Sequence, residues 1–277
     1  MNKTGFLIIF TILFLFSIKA GSQLAYSGKE YSSEFKRGME LFNKQKYPAA
    51  IRLFDSYISN PDNTDMLSLA DARYYRALAS VNLFNPDAEY RMVNFMRTHP
   101  ESPRINEANL ALGNYFYQNK NYRKAITYLE DVNRQELLPE QLPEYFFRLG
   151  YSHYMRGQKP RALVMFSEIK DMDTEYTTPA IYYYSQIAYE QKMYETAMEG
   201  FTRLKDDETF GNIVPFYIVQ ILYLKKDYDQ ILQIAPELID KAGKDRAIEL
   251  YRFIGDAYFS KGNYEEALPY LDRTSVV

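Results

Sequence analysis

Two histidines, His99 and His153, are the side chains of this chain whose ordinary pKa lies nearest neutrality. The sequence has no cysteine, so it can form no disulfide, thiolate metal site or cysteine nucleophile. It also lacks an H-E-x-x-H zinc motif, a G-x-S-x-G nucleophile elbow and a phosphate-binding glycine loop. His99 precedes a proline between two helical segments and is expected at the surface, whereas His153 occupies a core position. These residue types predict no catalytic site, no metal site and no cofactor.

The charged residues are balanced rather than clustered. Lys and Arg number 33 against 36 Asp and Glu, which gives a formal net charge of −3, and no basic run occurs. A nucleic-acid partner is therefore not expected. The acidic pairs Asp206–Asp207 and Glu265–Glu266 are expected on turns or at helix starts, where carboxylates interact well with the helix dipole. Apolar residues make up 47% of the chain and aromatic residues 16%, which is ample for a packed core.

The N-terminal residues 1–22 have the pattern of a secretory signal peptide. A short basic start precedes an apolar run over residues 6–18, which is too short to span a bilayer comfortably. Small residues at 20–22 provide a cleavage site. We therefore expect export to the periplasm or cell envelope, with residues 23–277 as a mature chain without a stable transmembrane segment. A lysine inside the cleavage region leaves an uncleaved membrane anchor as the alternative.

A pattern repeats along the rest of the chain with spacings of 34 to 39 residues. Its clearest copies begin at Gly113, Gly150 and Gly255, each with a second small residue twelve positions later. The first small residue of each unit is called its anchor. The seven anchors are Gly38, Ala77, Gly113, Gly150, Ser185, Val219 and Gly255. The second residues of the seven pairs are Ala50, Ala88, Ala125, Ala162, Ala197, Ile231 and Ala267. Ala88 is included because the turn of the second unit is taken to be one residue shorter.

The spacing has a physical explanation in paired helices. Each unit contains two apolar-periodic segments joined by a polar turn, which predicts an antiparallel helical hairpin. Small residues at the crossing let the two backbones approach, while a large apolar residue recurs sixteen positions after the anchor. The sixth unit has large Val219 and Ile231 but small Ala235, an exchange of volume that can preserve packing.

From Tyr31 to Arg273, this pattern resembles the tetratricopeptide repeat (TPR) family. The resemblance implies an all-α fold, a right-handed superhelical solenoid of about seven TPR-like helical hairpins in a single domain over residues 23–277. Within the family, the segment 98–103 is similar to bacterial envelope proteins. The expected units are residues 31–63, 65–100, 105–135, 142–172, 178–207, 212–242 and 245–277.

The resemblance also implies a groove lined by the first helix of each hairpin. Positions three before, one after and four after each anchor would face it, and six of the seven residues four after the anchor are aromatic. Aromatic side chains offer a large contact area at a low entropy cost. The same aromatics could instead pack between neighbouring hairpins. The candidate partner-binding residues are Tyr117, Phe147, Tyr151, Tyr154, Tyr182, Tyr189, Phe216 and Tyr223.

The expected function is a non-catalytic protein–protein interaction scaffold. Groove positions of the first six units carry no Lys or Arg, which argues against the carboxylate clamp of chaperone-binding family members. An extended peptide or an amphipathic helix fits an apolar, tyrosine-rich groove better. Two alternatives remain. The chain could be the repeat region of a larger regulatory or catalytic envelope protein, or a structural protein that forms homo-oligomers through an uncapped C-terminal end.

Overall fold

The computed structural model describes residues 32–274, and the regular structure of this segment is helical throughout. It contains fourteen α-helices and two short 3-10 helices, with no β-strand among the described residues. The predicted all-α helical-repeat fold is confirmed. The predicted signal peptide, residues 1–22, lies outside the described residues. The α-helices are α1 Ser33–Asn43, α2 Tyr47–Ser59, α3 Met66–Asn82, α4 Ala88–Thr98, α5 Ile105–Gln118, α6 Tyr122–Glu130, α7 Leu142–Met155, α8 Lys159–Ser167, α9 Thr177–Glu190, α10 Tyr194–Arg203, α11 Val214–Lys225, α12 Tyr228–Leu238, α13 Lys244–Ser260 and α14 Tyr264–Asp272.

Consecutive helices pair into seven hairpins, α1 with α2 through α13 with α14. Every hairpin turns through the residue seven positions after its anchor, which adopts a left-handed conformation with φ between 54° and 81°. Glycine, which tolerates this conformation best, occupies the place in two hairpins, as Gly157 and Gly262. The other five turn residues are Gln45, Phe84, Lys120, Lys192 and Lys226. The turn is therefore set by the packed helices on either side rather than by residue type.

The glycine anchors lie where the two helices of a hairpin come closest. A Cβ atom added to Gly113 would be 2.5 Å from Cγ of Leu129, and one added to Gly38 would be 2.8 Å from Cε1 of Phe54. Both partners stand sixteen positions after the anchor, so the predicted close approach is confirmed. The small residue twelve positions after the anchor is buried as well, with Ala125 fully inaccessible to solvent.

The fifth and sixth hairpins reach the same packing by different routes. In the fifth, the anchor is Ser185, whose hydroxyl donates to the carbonyl of Ile181 over 2.7 Å. A Cβ on Gly200 would lie 1.9 Å from this hydroxyl oxygen, so that glycine makes room for the serine. In the sixth, Val219 and Ala235 are both fully buried, as the predicted exchange of volume requires.

The helices form two compact units that are divided after His99. The prediction that His99 lies at the surface is wrong, because the side chain is 7% exposed. Its ring centroid is 5.7 Å from that of Phe95, and its Nε2 atom is 3.3 Å from the guanidinium of Arg73. His99 ends α4 as its C-cap, four residues after Phe95, and so remains on the buried side of the helix.

The second unit, from Pro100 onward, contains α5 to α14. In it, the second helix of each hairpin packs on the first helix of the next: α6 on α7, α8 on α9, α10 on α11 and α12 on α13. Neighbour-to-neighbour packing of this kind repeats the same junction along the unit, so equivalent residues of successive hairpins have equivalent surroundings.

Candidate functional site

The eight predicted partner-binding residues lie on the first helices of four consecutive hairpins, α5, α7, α9 and α11. Seven of them are half-buried. Tyr182 is 6% exposed, and its ring stacks on that of Phe210 at 4.4 Å, so it packs in the core and offers a partner almost no surface. The half-buried residues are Tyr117, Phe147, Tyr151, Tyr154, Tyr189, Phe216 and Tyr223.

An aromatic pair recurs at the junctions between hairpins. The residue four positions after one anchor contacts the residue two positions before the next. The paired rings are Phe42–Tyr75 at 5.3 Å, Tyr154–Tyr183 at 5.1 Å, Tyr189–Tyr217 at 5.7 Å and Tyr223–Phe253 at 4.4 Å. Pairs of this kind contribute about 0.5–1.5 kcal/mol beyond burial alone. The members before the anchor were not predicted, because only the positions three before, one after and four after it were expected to face the groove.

The rings of the second unit that pack at these junctions form a set that we call the aromatic row. Its central member is Tyr151, whose ring lies 5.9 Å from Tyr117 on one side and 5.1 Å from Tyr183 on the other. The rings are therefore held in place by packing between hairpins before any partner binds. The aromatic row consists of Tyr117, Tyr122, Phe147, Tyr151, Tyr154, Tyr183, Tyr189, Tyr217 and Tyr223.

At the junction between the third and fourth hairpins, a cation takes the place of the aromatic residue before the anchor. Arg148 stands two positions before Gly150, and its guanidinium carbon is 5.4 Å from the ring centroid of Tyr117. Glu144, one turn earlier on α7, forms a salt bridge with Arg148, which is 6% exposed. A buried guanidinium needs such partners. Arg148 thus serves a packing role rather than offering an open anion site.

Burial raises the pKa of two tyrosine hydroxyls of the row. It raises the pKa of Tyr154 to about 12, with the nearby Glu190 carboxylate as the next cause. It also raises the pKa of Tyr122 to about 12, with Tyr151 as the neighbouring group that adds to the shift. Neutral phenols at physiological pH can both donate and accept hydrogen bonds, so the row can offer polar as well as apolar contacts.

Exposed apolar side chains border the aromatic row. Met155 follows Tyr154 at the end of α7 and is 36% exposed, while Leu224 follows Tyr223 near the end of α11 and is 49% exposed. Both stand five positions after their anchors, outside the three positions that were expected to face the groove. Exposed Met and Leu beside aromatic rings can adapt to an apolar partner surface. The surface formed by the row and these two residues is the candidate site.

His153 and the acidic side chains are the remaining groups that could take part in chemistry. His153 is 2% exposed, as predicted for a core residue, with its Nδ1 atom 2.6 Å from Oε1 of Gln158 and its Nε2 atom 3.6 Å from Glu130. Among residues 32–274, no group of three or more His, Asp or Glu side chains is placed to hold a metal ion. Over the same range, no helix is both long and apolar enough to cross a membrane.

Comparisons with known proteins agree with this architecture. The family model described as tetratricopeptide repeat matches residues 110–173, most of the third and fourth hairpins. Among solved structures, the chain is similar to the C-terminal part of a TPR repeat-containing protein from Cytophaga hutchinsonii. The two share 17% identity and a TM-score of 0.56, over 87% of this chain and 93% of that one. It is also similar to the MamA protein, at 18% identity and a TM-score of 0.50, over 62% of this chain and 91% of that one.

No curated protein matches the chain in sequence. The fold nevertheless defines a class, that of helical-repeat proteins whose stacked hairpins present an extended surface. Within this class, the family match over residues 110–173 and the similar solved structure show a helical-repeat fold of the tetratricopeptide kind. The fold is one that typically supports protein–protein interaction.

Proposed function

We propose that this protein is a non-catalytic interaction scaffold that is exported to the periplasm or cell envelope and binds a peptide or protein partner on its aromatic row. The observation that carries the proposal is the set of half-buried rings along the second unit, most of them on first helices, bordered by exposed Met155 and Leu224. Because the rings contact one another across successive hairpins, little conformational entropy is left to lose on binding.

The chemistry of the row favours an apolar segment with free backbone polar groups. Half-buried rings and the exposed Met155 and Leu224 offer apolar contact, while protonated tyrosine hydroxyls can bond to backbone carbonyls. Tyr182 is left out of the proposed contact surface because it is buried. The predicted residues of the row stay in it, together with half-buried Phe216 of α11, and Met155 and Leu224 are added at its border.

The proposal is tested most cleanly at the border, where a substitution changes the surface and spares the core. The double variant Met155→Glu/Leu224→Glu should lose capture of the partner from an envelope extract, because each carboxylate would lose its water at an apolar interface. Val164→Glu is the matched control, since Val164 is 51% exposed on a second helix, α8. Equal capture by the double variant and the control would refute a binding role for this surface.

A second variant addresses the rings themselves. Replacing Tyr117, Tyr154 and Tyr189 together by Ala should abolish capture, since truncating a binding anchor commonly costs about 2 kcal/mol or more. The same change removes ring pairs between hairpins and should also lower the free energy of unfolding. Circular dichroism and urea unfolding therefore accompany the capture assay. A triple variant that keeps its fold and still captures the partner would contradict the proposal.

Export and cleavage of the N-terminal segment are tested by a separate measurement. The apolar run over residues 6–18 and the small residues at 20–22 support cleavage ahead of Gln23. N-terminal sequencing of protein from the periplasmic fraction should therefore begin near Gln23. Recovery of the intact N-terminus in a membrane fraction would instead show an uncleaved anchor.

A further inference from the structure

The hairpin of α13 and α14 exposes an aromatic pair. In the third hairpin, the equivalent pair is covered by the next hairpin. Phe259 and Tyr264 lie four and nine positions after the anchor of their hairpin, with ring centroids 5.1 Å apart. In the third hairpin the equivalent pair, Tyr117 and Tyr122, is contacted by Tyr151 of the next hairpin at 5.9 and 5.8 Å. Phe259 and Tyr264 are 57% and 62% exposed. This end of the second unit, the terminal face, consists of Phe259, Tyr264, Glu265, Leu268 and Asp272.

The terminal face carries a carboxylate where preceding junctions form an ion pair. Glu195, ten positions after its anchor, pairs with Lys225 of the next hairpin at 3.2 Å. Asp229 holds the same place one hairpin later and pairs with Lys261. Both lysines stand six positions after the following anchor. Glu265 is the equivalent residue of the last hairpin and is exposed.

A second carboxylate of the terminal face occupies a position that forms an ion pair at another junction of the protein. Asp55, seventeen positions after the first anchor, pairs with Arg76 at 2.9 Å. Arg76 stands one position before the second anchor. Asp272 is the residue of the last hairpin that corresponds to Asp55, and it is also exposed. The charges of the terminal face therefore complement a helix with a lysine six positions after its anchor and an arginine one position before it.

Helix α1 carries this pattern of cations. Lys44 stands six positions after the anchor Gly38, and Arg37 stands one position before it. Lys36 stands two positions before the anchor, the place from which Arg148 lies over Tyr117 at 5.4 Å. All three α1 cations are exposed. If α1 packed like the first helix of a following hairpin, Lys44 would face Glu265, Arg37 would face Asp272 and Lys36 would lie over Phe259.

We propose that copies of this chain associate head to tail, with α1 of one molecule packed on the terminal face of another. Three interactions observed at junctions within the protein, two ion pairs and one cation–π contact, would then recur between molecules. Such a contact is heterologous, because the two surfaces differ, so association continues into longer assemblies or closes into a ring. The terminal face shares no residue with the aromatic row, and self-association does not depend on the partner proposed above.

The test measures the average molecular mass of purified protein by sedimentation over a range of concentrations. At low salt the mass should rise with concentration. It should fall toward that of the monomer near 1 M salt, where the Debye length is about 3 Å. Glu265→Lys and Lys44→Glu should each raise the dissociation constant about fivefold or more, because an attraction becomes a repulsion. Glu199→Lys, at an exposed position of α10, is the matched control and should behave as the unmodified protein.

The decisive sample is an equimolar mixture of the Glu265→Lys and Lys44→Glu variants. Each supplies the charge that the other needs, so the mixture should associate as the unmodified protein does. Failure of the mixture to associate would overturn the proposal, as would a monomer at every concentration in low salt. A discrete dimer that Glu265→Lys leaves unchanged would show a symmetric contact and would also overturn it. Circular dichroism confirms that each variant is folded.

Discussion

The replacement of Gly113 by Ala tests the central packing argument, because two effects of known sign oppose each other at this position. Gly113 lies in the interior of α5, where Ala would stabilise the helix by about 1 kcal/mol through its higher propensity. The added methyl group, however, would lie 2.5 Å from both Cγ and Cδ2 of Leu129 and 3.3 Å from the backbone nitrogen of that residue. Ordinary carbon–carbon contacts are about 3.5–4.0 Å, so the overlap is about 1 Å.

The magnitude follows from where this overlap falls. The methyl group meets the branch carbon of Leu129 and not just the tip of its side chain, and Leu129 is fully buried. Rotation of the side chain therefore cannot relieve the overlap, and α5 and α6 must separate. Overpacking of this kind costs about 1–3 kcal/mol, and the upper part of that range applies here. After the propensity gain, Gly113→Ala should lower the free energy of unfolding by about 1–2 kcal/mol.

The assay is urea unfolding of a double-mutant cycle. Leu129→Ala alone should cost about 2–5 kcal/mol through the cavity it leaves. In that background the obstructing side chain is gone, so Gly113→Ala should raise the free energy of unfolding by about 0.5–1 kcal/mol. The effect of Gly113→Ala on the free energy of unfolding is thus expected to change sign between the two backgrounds. A stabilising effect of Gly113→Ala in the otherwise unmodified protein would refute the close approach of α5 and α6, and so would equal effects in both backgrounds.

Two further predictions concern packing and pH. Ala125→Leu should lower the free energy of unfolding by about 1–3 kcal/mol through overpacking, whereas Ile231→Leu should cost less than about 1.5 kcal/mol, and equal losses in urea unfolding would show that the anchor register is wrong. The pKa of Tyr122 and of Tyr154 is about 12 in the folded protein, against an ordinary value of 10.0. Their neutral forms therefore contribute stability that is fully present below pH 10 and is lost as the pH rises from about 10 to 12. Unfolding followed across this pH range should show the loss, and Tyr154→Phe should reduce it; an unchanged pH profile for this variant would contradict the assignment.

The hairpins were predictable because their packing requires particular residue types at fixed positions of the sequence. A helix pair that touches at one point needs a small residue there, so Gly113 and Gly150 recur at a spacing that can be counted without a structure. The left-handed turn residues cannot be recognised by their residue type. Lys120 and Lys192 occupy places where glycine would be expected, because the flanking helices impose the backbone conformation.

The helices that carry the candidate residues were predictable, but the surroundings of these residues were not. The eight candidates were correctly placed on first helices, yet Tyr182 is buried against Phe210, which comes from the loop before α11. Likewise, the register of one helix could not show that Tyr183 contacts both Tyr151 and Tyr154. Whether a half-buried ring faces a partner or a neighbouring hairpin depends on which residues the next hairpin brings to it.

The amino-acid sequence by itself determined the all-α repeat, the seven anchors and the absence of cysteine chemistry, since each depends on residue type and on spacing within one hairpin. Tertiary structure decided which surfaces the hairpins cover. His99 is buried because it packs against Phe95 and lies beside Arg73 of the neighbouring helix α3, and Arg148 replaces a ring because Tyr117 of the preceding hairpin lies beneath it. Burial and charge pairing depend on neighbours from other helices, and those neighbours become known once the helices are packed.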